Sequence, residues 1–216
     1  MAFIEDAFVS LRPYLYHTTS DNNLVGIIGA RRLKSAGLLL LESDRYQELE
    51  IQRLAYHPIR TGHGHAWLQT QRPLHAGNID FRDSHSLEDV VRMLNSKVFF
   101  WPGSEAGPID YGTRHRDANK WPSAAAMLRM RTADVFRLAV SNPPQFCQYN
   151  SGSPRCSKGK KSPRGSKTFS TADSYAKSPG SVKEVVFNNH VDLPASTEKW
   201  DCTSRLWRPI FCNLEP

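Results

Sequence analysis

Three groups of side chains in this sequence have the types and spacing that chemistry needs. The first is Tyr16-His17-Thr18-Thr19, followed closely by Asn23. After the turn-forming Arg12-Pro13, the run Tyr14-Leu15-Tyr16 predicts a strand whose end carries His17, and Ser20 or Asp21 offers the N-cap of a helix beginning near Asn22. A strand-end imidazole beside a helix N-terminus frames a pocket whose amides favour phosphate or diphosphate groups. The competing expectation is that these residues only cap the helix. The second group is Glu184, at the start of the apolar run Val185-Val186-Phe187. A carboxylate beside a core is unfavourable unless it is paired or used. It could hold a sugar hydroxyl and stabilise positive charge as a glycosidic bond opens through an oxocarbenium-like state, or it could be a solvated edge residue. The third is the stretch 150–167, where Asn150, Arg155, Lys158, Lys160, Lys161, Arg164 and Lys167 are interspersed with Ser and Gly and with no acidic residue. Exposed amides, hydroxyls and cations together suit a polyanion, against the alternative of a merely solvated loop.

Lesser signals are His63-Gly64-His65 and the tryptophans. No Cys or carboxylate stands at a spacing that would complete a metal site with the two histidines, so no metal is expected. Trp101 and Trp121 are expected in the core, with stacking on a base open to either if exposed.

These groups need positioning elements. Leu24, Ile27, Ile28 and Leu33 share one helical face over about three turns. Residues 45–57 place Leu49, Arg53 and Tyr56 at helical intervals and predict an amphipathic helix ended by Pro58. Residues 62–78 read as an irregular surface connection. Ser86, followed by Glu88 and Asp89, opens a helix with Leu87, Val90, Val91 and Leu94 inward, and Lys97 to Trp101 has the composition of a buried strand ended by Pro102-Gly103. Residues 114–131 carry a helical pattern broken by Pro122, and 135–140 predict a second strand. A Pro-, Ser- and Gly-rich loop covers 141–170. Residues 181–193 return as a strand or hairpin, and 204–212 as an edge strand with Pro209 on its open side.

The whole chain, 216 residues, fits one α+β domain, and 28 Lys and Arg against 21 Asp and Glu leave a net charge of +7 that favours polyanionic partners. Glu5 and Asp6 spoil the basic-then-apolar order of a secretory signal, and no apolar run approaches the ~18 residues of a membrane span. A cytoplasmic protein without membrane contact is expected. Cys147, Cys156, Cys202 and Cys212 lack CxxC pairing and read as reduced thiols, although Cys147 and Cys156 are near enough in sequence to bridge or to hold a metal with a histidine.

Together, His17-x-Thr19 with Asn23-Leu24 and Ile27, the segment Gln71-Arg72-Pro73-Leu74, the run Val98-Phe99-Phe100-Trp101 and Glu184-Val185-Val186 resemble the DarT-type nucleic-acid ADP-ribosyltransferases. That resemblance implies a split antiparallel sheet flanked by helices and NAD as cofactor. It implies NAD-binding roles for His17, Thr18, Thr19, Asn23, Arg72, Phe100 and Trp101, and a catalytic pair of Glu184 and His17. It further implies transfer of ADP-ribose to a DNA or RNA base, in a toxin or antiviral defence setting where an antitoxin or immunity partner would be expected. Two other functions remain open: a DNA glycosylase that excises a base without NAD, and a non-catalytic nucleic-acid-binding module using only the basic loop.

Overall fold

The computed structural model describes residues 5–118 and 120–211. In chain order, α1 (Glu5–Leu11) leads into β1 (Tyr14–Ser20), α2 (Leu24–Ala30), β2 (Arg32–Lys34) and α3 (Ala36–Glu42). The hairpin β3 (His57–Thr61) and β4 (Gly64–Leu68) and the short β5 (Ile79–Phe81) precede α4 (Leu87–Asn95) and β6 (Lys97–Ser104). Then come β7 (Gly107–Pro108), α5 (Asp110–Ala118), β8 (Ala125–Arg131), α6 (Thr132–Leu138), β9 (Gln145–Cys147) and β10 (Ser162–Arg164). The chain closes with β11 (Glu184–Asn188), β12 (His190–Asp192), β13 (Glu198–Asp201) and β14 (Leu206–Pro209).

These elements make the expected single α+β domain. Its main sheet has the order β14-β13-β8-β1-β6-β11-β9 with β7 added beside β6, and its pairs run antiparallel. Alternation along the strands buries both faces. Leu15, Val98, Phe100, Leu128, Val185 and Phe187 point to one side, where Phe8 of α1 and Val135 and Phe136 of α6 cover them. Val186 and Phe99 point to the other, under Val90, Val91 and Leu94 of α4. The start of α4 is held by the capping box that Ser86 and Asp89 predict.

The sheet is not evenly knit. β1 pairs with β8 along all its residues, Tyr14 to Ser20, but with β6 only at Tyr14, Leu15 and Tyr16, opposite Gly103, Pro102 and Trp101. Beyond that point β6 keeps to β11, Lys97 through Phe100 facing Asn188 through Val185. The two central strands therefore part after Tyr16 and Trp101. At the joined end Gly103 is obligatory, because a Cβ there would come within 2.2 Å of the Gly107 carbonyl oxygen. Pairing of Gly103 with Tyr14 and Pro108, and of Ser104 with Gly107, carries β6 through Pro102-Gly103 rather than ending it there.

Several elements differ from the sequence expectation. Pairing with β8 carries β1 through Ser20, so His17 lies within the strand and not at its end. The helix after it is two turns long, stopped by Arg31 in the left-handed conformation (φ 47°), and Leu33 is buried on β2 instead. Residues 45–57 form a 3-10 turn at Tyr46–Glu48 and no α-helix, with His57 already opening β3; Ile51 and Leu54 stay exposed, leaving too little apolar surface to bind a helix to the body. Residues 62–78 begin with the Gly62-His63 turn of the β3–β4 hairpin and continue into β4, whose first residue Gly64 has a φ of 106°. Beyond Pro122 the helical pattern gives way to β8, whose centre is buried on both faces. The strand expected at 135–140 is helix α6: Val135, Phe136 and Ala139 fall on one helical face against the core, and so short an apolar run has no period that separates strand from helix. Two three-residue strands, β9 and β10, interrupt the 141–170 loop. β14 is an edge strand carrying Pro209, as expected. Cys147 is buried and Cys156 and Cys202 are exposed, all three as free thiols; Cys212 lies outside the described residues.

Candidate functional site

Where β1 and β6 part, a cavity of about 230 Å³ opens, lined by His17, Thr18 and Thr19 on one wall and by Phe99, Trp101 and Glu184 on the other. A second lobe of about 210 Å³ continues beneath α2 and the β3–β4 hairpin, sharing His17, Thr19 and Asn23 with the first. The two together reach the roughly 300–1,000 Å³ typical of small-molecule sites.

His17 spans the split. Its Nδ1 lies 2.9 Å from the Phe99 carbonyl oxygen; a carbonyl only accepts, so Nδ1 carries the hydrogen and Nε2 is the acceptor nitrogen of the neutral ring. Burial pushes the His17 pKa below its usual 6.5, which keeps the ring neutral at pH 7. Asn23 locks the neighbouring wall: its amide donates to Thr19 Oγ1 and to the Trp67 carbonyl, each at 3.0 Å, and its own oxygen accepts from Trp67 N–H at 2.8 Å. Thr18 Oγ1 is buried, with no hydrogen-bond partner among the described residues. Opposite, the His115 ring lies against Trp101 with centroids 5.2 Å apart. Burial and then the nearby His17 bring the His115 pKa down to about 4.

Glu184 opens β11 with 3% of its surface exposed. Its carboxylate accepts from the Ser151 backbone N–H and, at 2.6 Å, from the Ser151 hydroxyl. Burial pushes its pKa up to about 7, against the Ser151 hydrogen bonds and the Arg164 charge, which act downward. Three cations line the cavity, Lys34, Lys97 and the more deeply set Arg53. Arg53 is held by hydrogen bonds. Its Nε donates to the Gln69 carbonyl at 3.1 Å and its Nη1 to Asn95 Oδ1 at 2.8 Å, and burial lowers its pKa to about 10. Among the described residues no carboxylate lies within 4.0 Å of it. A half-buried guanidinium facing a cavity without a counter-ion is suited to phosphate oxygens.

Of the residues singled out from sequence, His17, Thr18, Thr19, Asn23, Trp101, Asn150 and Glu184 line this one cavity. Trp121 lines it as well, rather than lying wholly in the core. Phe100, Arg72 and Arg164 depart from their expected places. Phe100 is fully buried in the opposite core, since alternation along β6 turns Phe99 to the cavity in its place. Arg72 is exposed between Gln71 and Pro73, which do line the cavity. Arg164, expected to face nucleic acid, is 1% exposed and donates to the Ser151 and Asn150 carbonyls. Arg155, Lys158, Lys160, Lys161 and Lys167 are exposed. Sequence reasoning missed Arg53 and His115. An arginine at an inward position of the 45–57 pattern was the available signal for Arg53; His115, within Arg114-His115-Arg116, offered none. Among the described residues no three His, Cys, Asp or Glu side chains gather as a metal site, and no helix is long and apolar enough to cross a membrane.

A family model described as "Family of unknown function (DUF7002)" matches residues 13–196. No curated protein matches the chain, and no solved structure does.

Proposed function

This chain belongs to the DUF7002 family, described as one of unknown function, and from the geometry of its cavity we propose that it is an NAD-dependent ADP-ribosyltransferase acting on a nucleic-acid base, built on an ADP-ribosyltransferase-like split sheet. The observation that carries this reading is the parting of β1 and β6, which sets His17 and the buried Glu184 on opposite walls of one cavity that also contains the Arg53 guanidinium, without a carboxylate partner among the described residues.

The residues fit the cofactor's chemistry. Arg53 would hold a diphosphate; Trp101, His115 and Trp121 would offer flat faces to planar rings; Thr18 Oγ1 and the His17 Nε2 acceptor would offer hydrogen bonds to hydroxyl or amide groups. NAD supplies the ADP-ribose and releases nicotinamide as leaving group. Glu184 supplies the negative charge that stabilises positive charge on the sugar as the bond opens, in a place where little water competes. Glu184, whose pKa of about 7 leaves it partly protonated at neutral pH, would be drawn to its ionised form by a cationic ring held in the cavity. His17, neutral and held by Phe99, orients a hydroxyl without adding a like charge. The exposed cations Arg155, Lys158, Lys160 and Lys161 follow directly on the cavity-lining residues 150–153 and suit the target strand.

Thermal unfolding with and without NAD tests cofactor use. A ligand at 100 times its dissociation constant adds about 2.7 kcal/mol of stability. Unchanged unfolding at millimolar NAD would remove the cofactor and leave base excision or simple binding.

A further inference from the structure

Ser151 is fully buried, and all its polar groups are engaged. Its backbone N–H meets Glu184 Oε1 at 3.1 Å and Oε2 at 3.2 Å, and its hydroxyl donates to Oε2 at 2.6 Å. Its carbonyl accepts from Arg164 Nε at 2.9 Å, and Nη2 of the same guanidinium takes the Asn150 carbonyl at 3.0 Å. Nη1 turns to Ser162 Oγ and the Pro163 carbonyl, and the guanidinium lies 4.6 Å from the centre of the Tyr149 ring. The chain thus lines the cavity at 150–153, carries its exposed cations through 155–161, and returns at Arg164 to grip residues 150 and 151. A lysine could not do this, because the grip uses several donors of a rigid planar fork at once.

We propose that Ser151 is the positioning residue of the Glu184 carboxylate and that Arg164 is the brace that keeps Ser151 in place. This rests on the reading of Glu184 as the carboxylate at the reacting sugar. Two donors from Ser151 occupy Oε2, which fixes the plane of the carboxylate and leaves Oε1, with a single backbone donor, the freer to accept from a ligand in the cavity. The same donors favour the ionised form and so oppose the burial of the group. The charged and titratable groups facing Glu184 are Arg164 on β10, Cys147 on β9 and Tyr149 just beyond it. Burial raises the pKa of both Cys147 and Tyr149, so both stay neutral while Glu184 titrates.

A carbon-13 NMR titration of the Glu184 carboxyl, without NAD, tests this in the wild type, Ser151→Ala and Ser151→Thr. Losing the hydroxyl donor should move the midpoint upward by about one pH unit, and Thr should bring it back. An unmoved midpoint in a folded Ser151→Ala overturns the proposal. In the wild type alone, the Ser151 amide proton should shift with the same midpoint as the carboxyl, and an amide that does not titrate overturns it however the variants fold. NAD turnover on the same samples separates the two readings: a moved midpoint with no turnover in any sample removes the transferase and leaves the positioning standing.

Discussion

Replacing Glu184 with Gln should stabilise the protein above neutral pH while slowing its reaction at every pH. The folded pKa of about 7 stands above the usual 4.5, so between those values the folded protein holds a proton that the unfolded chain has lost. Stability contributed by the protonated carboxyl is therefore complete below about pH 4.5 and is lost as pH rises through 7. The full difference corresponds to about 3 kcal/mol. Gln carries no such penalty, and its geometry is tolerated: the amide oxygen accepts the Ser151 N–H, and the amide nitrogen can donate to the Ser151 hydroxyl in a reversed hydrogen bond. His17 and His115, with lowered pKa values, act with the opposite sign, since their charging destabilises the fold as pH falls below 6.5. They are common to both proteins and cancel on subtraction. Urea unfolding at intervals between pH 4.5 and 8.5 should give a variant-minus-wild-type difference that starts near zero and climbs to about 3 kcal/mol. A difference flat in pH would refute the assignment of a buried, reluctantly ionised carboxylate. Turnover should fall by about 100-fold or more, and a stabilised variant with normal turnover would refute the catalytic role.

Three other substitutions divide the site. His17→Ala removes one hydrogen bond worth about 1 kcal/mol and should leave the melting temperature within a few degrees while abolishing turnover; a large loss of stability would make the residue a structural tie across the split. Arg53→Gln should weaken NAD binding by about tenfold or more with nucleic-acid affinity unchanged, and equal NAD affinity by calorimetry would take the diphosphate away from this residue. Neutralising Lys158, Lys160 and Lys161 together should weaken nucleic-acid binding and flatten its salt dependence, and an unaltered salt slope would remove the loop from the interface.

The legible part of the site was local. His17, Thr19 and Asn23 fall within seven residues, and Glu184 stood out because a charge began an apolar strand. What could not be read was register. Only the pairing of Tyr16 with Trp101, between strands 85 positions apart in the chain, determines that the sheet opens just there, that Phe99 and not Phe100 faces the cavity, and that His17 bridges the gap. The segment 45–57 misled for a related reason. Arg53 occupies an inward position because its guanidinium finds Gln69 and Asn95, and such long-range partners leave no period in the sequence. Arg164 shows the limit of counting charge: six cations with no acid pointed to a polyanion, yet one of the six is consumed in bracing the loop.

The central claim is tested most directly by the mass of a nucleic acid after incubation with the protein, with and without NAD. Mixed-sequence DNA and RNA strands should gain the mass of ADP-ribose on a base when NAD is present and stay unchanged without it. Loss of a base in the absence of NAD, or an unchanged mass under every condition, would contradict the account.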